Sequence, residues 1–168
     1  MIYDYEEKEG YVSLWIGKCK DYSAIDDYLS TKDFDDDFDG DIEKAESNEI
    51  WKKLFIPANR DRPFEEELKE LFNYEFFNQF EYDFGLSFDE DFREAEVLDG
   101  DTKNLEKLFS GFSYCDSFLD KVINMKNSHL PECNTAVALY DFKYDGSILK
   151  AEHENFQLYF LGYCKYDN

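Results

Sequence analysis

Apolar residues recur along this chain in two rhythms, and the switches between them mark out its elements. Val12 to Ile16 form an unbroken apolar run ending at Gly17, which reads as a buried first strand. Asp21 or Ser23 can cap a short helix reaching Leu29, with Ile25, Tyr28 and Leu29 on one face. The stretch from Asp33 to Glu43 is too charged to bury. Ile50, Trp51, Leu54 and Phe55 then fall at helical spacing, and Pro57 closes that helix. Pro63 is placed to open another, whose stripe of Leu68, Leu71, Phe72, Phe76 and Phe80 runs to Phe84 and stops at Gly85.

Beyond Gly85 the rhythm alternates. Arg93 to Leu98 has strand character interrupted by Glu94 and Glu96. Leu105, Leu108, Phe109 and Phe112 are helical again, and Ser117 with Asp120 resembles a capping box for a helix carrying Phe118, Val122 and Met125. Thr135 to Tyr140 reads as a strand that Phe142 and Tyr144 continue, and Asp145-Gly146 is a hairpin signal. Phe156 to Leu161 is apolar on both faces, as expected of a strand inside a sheet covered by helices. One strand, several helices and a closing antiparallel meander predict a layered α+β fold. At 168 residues, with no repeat or flexible linker, the chain (residues 1–168) is expected to form one domain.

Charge changes the picture. The chain holds 18 lysines and arginines against 40 aspartates and glutamates, a formal net charge of −22, while aromatic residues make up 19%. The aromatics supply ample core, and the negative potential argues against nucleic acid or anionic membranes as partners. A basic protein partner would be steered toward such a surface. The segment Met1 to Glu7 lacks the basic-then-apolar pattern of a secretory signal, and no stretch approaches membrane-spanning length. Cys19, Cys115, Cys133 and Cys164 are widely spaced with no Cys-x-x-Cys pair, so reduced thiols and a cytoplasmic setting are expected.

The sharpest local motif is the loop 35–46, which matches the EF-hand pattern. Asp35, Asp37 and Asp39 could converge on calcium, Gly40 permits the bend, Asp41 offers its carbonyl, and Glu46 could close the sphere bidentately. Against it, so aspartate-rich a segment matches acidic patterns by chance, and Thr31 and Ser47 stand where apolar flanks belong. The second candidate loop, 141–152, puts Lys143 where a carboxylate is required. Calcium is therefore the alternative reading, and no cofactor is the main one.

Catalytic constellations are thin, and no enzymatic activity is expected. His129 and His153 sit in no zinc motif, and Cys115 lacks a local nucleophile signature. Paired acids such as Asp89 and Asp91 carry no information in a chain with this many carboxylates. Phosphate-binding glycine loops, Gly-x-Ser-x-Gly and basic aromatic patches are missing from the sequence.

Three segments together resemble the immunity protein 22 family of bacterial polymorphic toxin systems. The first is Val12-Ser13-Leu14-Trp15-Ile16-Gly17 with the helix ending in Tyr28-Leu29. The second is Phe80-Glu81-Tyr82-Asp83-Phe84-Gly85-Leu86 with Asp89-Glu90-Asp91-Phe92 and Glu94-Ala95-Glu96. The third is Leu108-Phe109-Ser110-Gly111-Phe112-Ser113-Tyr114 with Phe118, followed by Tyr140-Asp141-Phe142 and the closing Phe160-Leu161-Gly162. Against that pattern the stretch around 43–73 reads as an insertion. The resemblance implies a cytoplasmic antidote that binds and blocks a cognate toxin domain. It leaves the toxin's activity open, and a basic nuclease is the kind that a charge of −22 would complement. The residues expected at the contact are Asp35, Asp36, Asp37, Asp39, Asp41 and Glu43, with Asp89, Glu90 and Asp91 as a second patch.

Overall fold

The computed structural model describes residues 7–33, 76–125, 130–154 and 156–167. In chain order these form β1 (Glu7–Cys19), α1 (Tyr22–Leu29), β2 (Lys32–Asp33), β3 (Phe76–Phe77), α2 (Gln79–Phe84), a 3-10 turn (Glu90–Phe92), β4 (Arg93–Thr102), α3 (Leu105–Phe109), α4 (Cys115–Asn124), β5 (Cys133–Phe142), β6 (Lys150–His153) and β7 (Phe156–Lys165). Five strands make an antiparallel sheet in the order β4-β5-β1-β7-β6, and β2 pairs with β3 separately. The expected α+β class is the observed one.

The strand β1 sits in the middle of the sheet, so both of its faces must be covered, and its unbroken apolar run follows from that position. Val12, Leu14 and Ile16 face a cluster with Leu108 and Phe109 of α3 and Phe118 and Val122 of α4. Trp15 faces the opposite cluster with Ile25 and Leu29 of α1 and Phe80 and Phe84 of α2. The indole of Trp15 is ringed by Phe80, Phe160, Tyr144 and Phe84 at centroid distances of 5.1, 5.2, 5.5 and 5.7 Å. The molecule is thus a helix–sheet–helix sandwich.

Several local expectations change. The first strand does not end at Gly17 but continues to Cys19, and a Cβ on Gly17 would stand 1.7 Å from the Gln157 carbonyl oxygen. Glycine at this point marks a close backbone approach. The stripe read as one helix through Phe84 is interrupted, because Phe76–Phe77 is extended and Asn78 caps a new helix by accepting from the Glu81 N–H at 3.1 Å. The expected capping box at Ser117 is not a cap. Helix α4 begins earlier, at Cys115 after Tyr114 in the left-handed region, and Ser117 Oγ donates back to the Tyr114 carbonyl. Asp145-Gly146 does not join two paired strands: β6 pairs with β7, so the hairpin lies between His153 and Phe156. The helices expected around Ile50 and after Pro63 lie outside the described residues.

Two bulges decide which faces the strand ends present. In β7 the register to β1 skips Leu161, with Gly162 at φ 146. Leu158 and Phe160 consequently face the α1/α2 cluster while Leu161 and Cys164 face the other. In β5 Asp141 takes φ 50, which turns Phe142 away from the face that Tyr140 occupies.

Candidate partner-binding surface

The Asp141 turn shapes one end of the sheet, where β5 finishes and β1 begins. Aspartate tolerates the left-handed region better than most side chains, and here the conformation is fixed from two directions. Asp141 Oδ1 accepts the Gly10 N–H at 2.8 Å and the Tyr166 hydroxyl at 2.9 Å, and the Tyr166 N–H returns to the Gly10 carbonyl at 3.0 Å. Behind it, the fully buried Ser13 hydroxyl donates to the Phe142 carbonyl at 2.8 Å and accepts the Tyr144 N–H at 2.9 Å. The strand end is therefore held rigidly.

Against this end lies the 3-10 turn. Asp89 caps it by accepting the Asp91 N–H at 3.0 Å, and the Glu90 carboxylate accepts the Thr31 N–H at 2.5 Å. The next residue, Arg93, anchors the turn to α1 through Asp26 at 2.9 Å and Ser30 at 3.1 Å. Between turn and strand opens a cleft of about 340 Å³, lined by Glu9, Phe88, Asp89, Phe92 and the β5 residues from Leu139 to Phe142. Phe88, Leu139 and Phe142 are its buried apolar lining. Phe92, at 47% exposure, stands open to solvent beside it.

Among the described residues none of Glu9, Asp89 and Asp141 has an ion-pair partner. Lys8, Lys143 and Lys165 stand over the Tyr11 ring at 5.3, 5.7 and 5.7 Å, and Lys143 is also 4.8 Å from the Tyr163 ring.

A tyrosine cluster continues the surface from Tyr140. Tyr114, half exposed at φ 57, lies 5.9 Å from the Tyr140 ring and 5.3 Å from Tyr166, and those two are 5.3 Å apart. The Tyr140 hydroxyl is 2.7 Å from the Ser113 carbonyl and 3.0 Å from Glu94 Oε2. Glu94 in turn accepts the Ser113 N–H at 2.8 Å and its hydroxyl. Burial and then the Glu94 charge push the Tyr140 phenol well above its ordinary range, and burial and the bond to Asp141 do the same for Tyr166. Both stay neutral donors at neutral pH.

Of the contact residues expected from the sequence, Asp89, Glu90 and Asp91 are exposed on the turn, and the structure places Glu9, Asp141 and Phe92 around one cleft with Asp89. Asp35, Asp36, Asp37, Asp39, Asp41 and Glu43, and the calcium-loop residue Glu46, lie outside the described residues. Asp141 was missed as a site residue because a lone acid in an alternating strand reads as an outward-facing side chain. Its one signal was a short polar residue between two aromatics.

The candidate chemical groups are placed elsewhere. Cys115 lies 3.8 Å from the Ser110 carbonyl and from Asp116 Oδ1, and burial together with that carboxylate raises its thiol. Burial also raises Cys19 and Cys164, and it pushes Cys133 up to about 11. All four thiols are free. His153 is sealed in the core against Asp83, and His129 lies outside the described residues. Among the described residues there is no cluster of three or more potential metal ligands, and no helix long and apolar enough to cross a membrane.

Fold and surface together define a strongly acidic α+β protein. The chain belongs to the Immunity protein 22 family, whose model matches residues 12–167, nearly its whole length. Neither a curated protein nor a solved structure matches it.

Proposed function

We propose that this protein protects a bacterial cell from a cognate toxin domain by binding the toxin directly and occluding its working surface in the cytoplasm. The family supports an immunity role, and the observation that carries the binding mode is the cleft end of the sheet. There, Glu9, Asp89 and Asp141 line the same cleft as the open ring of Phe92, and Glu90 and Asp91 are exposed on the turn that carries Asp89 and Phe92. An aromatic anchor inside a charged rim is how tight interfaces divide their work: rim charges set the rate of capture, and the desolvated centre sets the lifetime. A chain of net charge −22 selects a basic partner, and a nuclease toxin, basic for the sake of its own substrate, fits that description. The protein acts by binding and needs no cofactor.

The test is growth of cells expressing the toxin domain encoded beside this gene, with and without this protein, followed by measurement of complex formation. Rescue with a stable complex whose association rate falls steeply with salt is the expected result. No rescue from an active toxin would remove that pairing, and an association rate insensitive to salt would remove the steering account.

A further inference from the structure

We infer that the cleft between the 3-10 turn and the end of β5 receives the guanidinium side chain of one arginine on the basic toxin. The inference rests on the toxin-binding reading above and names the group recognised.

The cleft has the parts that such a side chain needs. Phe88, Leu139 and Phe142 give an apolar wall for the aliphatic stem, and at about 340 Å³ the space lies near the bottom of the range for small-molecule pockets. It suits one long side chain. Phe92, half open beside it, offers a ring face to a planar cation. Glu9, Asp89 and Asp141 line the same space, and no cation among the described residues pairs with them.

Complementarity singles out arginine within this class. A guanidinium stacks on aromatic faces and presents a rigid fork of donors to carboxylates, and it sheds water more readily than an ammonium. Asp141 is already held in place: its Oδ1 is engaged by Gly10 and Tyr166, and its Oδ2 accepts no hydrogen bond among the described residues. Little ordering remains to be done on binding.

The experiment measures association and dissociation of the full-length protein with the catalytically inactivated toxin domain encoded beside this gene. Phe92→Ala, Asp89→Asn and Asp141→Asn are compared with Asp99→Asn and Glu106→Gln, exposed acids toward the other end of β4. Asparagine at 141 tolerates the left-handed backbone and keeps the acceptor oxygen, and melting curves verify that every variant folds. Dissociation is expected to quicken on the order of tenfold to a hundredfold in the three cleft variants and to stay near wild type in the two controls. An arginine-to-lysine scan of the toxin should then find one position whose replacement couples with Phe92→Ala in a double-mutant cycle. Tight wild-type binding with unchanged dissociation in the cleft variants overturns the inference and leaves the immunity reading standing. Equal effects at cleft and control positions, or a scan in which no arginine couples with Phe92→Ala, also overturn it. Absence of any complex with an active toxin removes both.

Discussion

His153 Nε2 stands 2.5 Å from Asp83 Oδ2 in a place where both side chains are sealed from solvent, at 5% and 1% exposure. The same carboxylate accepts the Tyr28 hydroxyl at 2.8 Å and the Gln79 side-chain N–H at 2.9 Å. The rings of Tyr28, His153 and Phe156 enclose it, with centroids 4.1 to 5.8 Å apart. One acid thus ties α1, α2 and β6 together, each through a different donor. The arrangement is a structural knot on the α1/α2 side of the sheet.

Removing that acid should be costly. Asp83→Ala leaves the Tyr28, Gln79 and His153 groups without this acceptor in a buried site, and a buried polar group left unsatisfied costs about 1–3 kcal/mol. Urea unfolding followed by tryptophan fluorescence is expected to show a loss of that size. A change under about 1 kcal/mol would mean that solvent reaches the site and that the knot is not what joins these elements.

The buried tyrosines Tyr140 and Tyr166 predict a response at the alkaline end. Tyr140 and Tyr166 have phenols raised above the unfolded value of about 10. A raised group adds stability that is fully present below the unfolded pKa and is lost as pH climbs toward the folded one. The urea midpoint is therefore expected to fall between pH 9 and pH 11. Tyr140→Phe should be less stable at pH 8 by about 1 kcal/mol for the lost hydrogen bond, yet decline less steeply above pH 10. Equal slopes for wild type and variant would remove Tyr140 as a source of the effect.

Much of the fold could be read from the chain because its central strands are buried on both faces and so appear as plain apolar runs. Val12 to Ile16, Thr135 to Tyr140 and Phe156 to Leu161 all became sheet, and Asp21 caps α1 by accepting the Ala24 N–H. What resisted reading depends on contacts distant in sequence. Asp145-Gly146 has hairpin chemistry, but β1 occupies the place beside β5 and β6 finds β7 instead. Phe76 continues a helical stripe, yet it pairs with Asp33 as strand. The cleft draws on Glu9, on Phe88, Asp89 and Phe92, and on residues 139–142, three segments that no local pattern joins. The acidic turn was legible as charge alone, and the cleft beside it depends on Phe92 and on the bulge at Asp141.

Gly17 gives a sharp test of the sheet itself. Its missing side chain lets β7 approach so closely that a Cβ would meet the Gln157 carbonyl oxygen at 1.7 Å, its carbon at 2.8 Å and the Leu158 Cα at 3.0 Å. All three are backbone atoms, so no rotamer can relieve the clash. Gly17→Ala must spread β1 from β7 or shift their register, and overpacking of this kind costs about 1–3 kcal/mol or more. The expected result is a lower urea midpoint and faster amide exchange in β7, while the exposed Gly100, with nothing within 4 Å of its Cβ position, should accept alanine with far smaller effect. Equal tolerance at the two sites would contradict the close β1–β7 approach.

The loop 35–46 separates the two readings of the acidic segment. If Asp35, Asp36, Asp37, Asp39, Asp41 and Glu43 serve partner capture, their repulsion is shared with the solvent and calcium has only a diffuse attraction to them. Millimolar calcium is then expected to shift the melting temperature no more than magnesium at equal ionic strength, and replacing these six acids by their amides should slow toxin association more than it speeds dissociation. An ordered calcium site behaves differently, because Glu46 would supply a bidentate ligand whose loss breaks the coordination sphere. A calcium-specific rise in melting temperature that Glu46→Gln abolishes would establish the loop as a metal site and assign capture to the turn at Asp89, Glu90 and Asp91 alone.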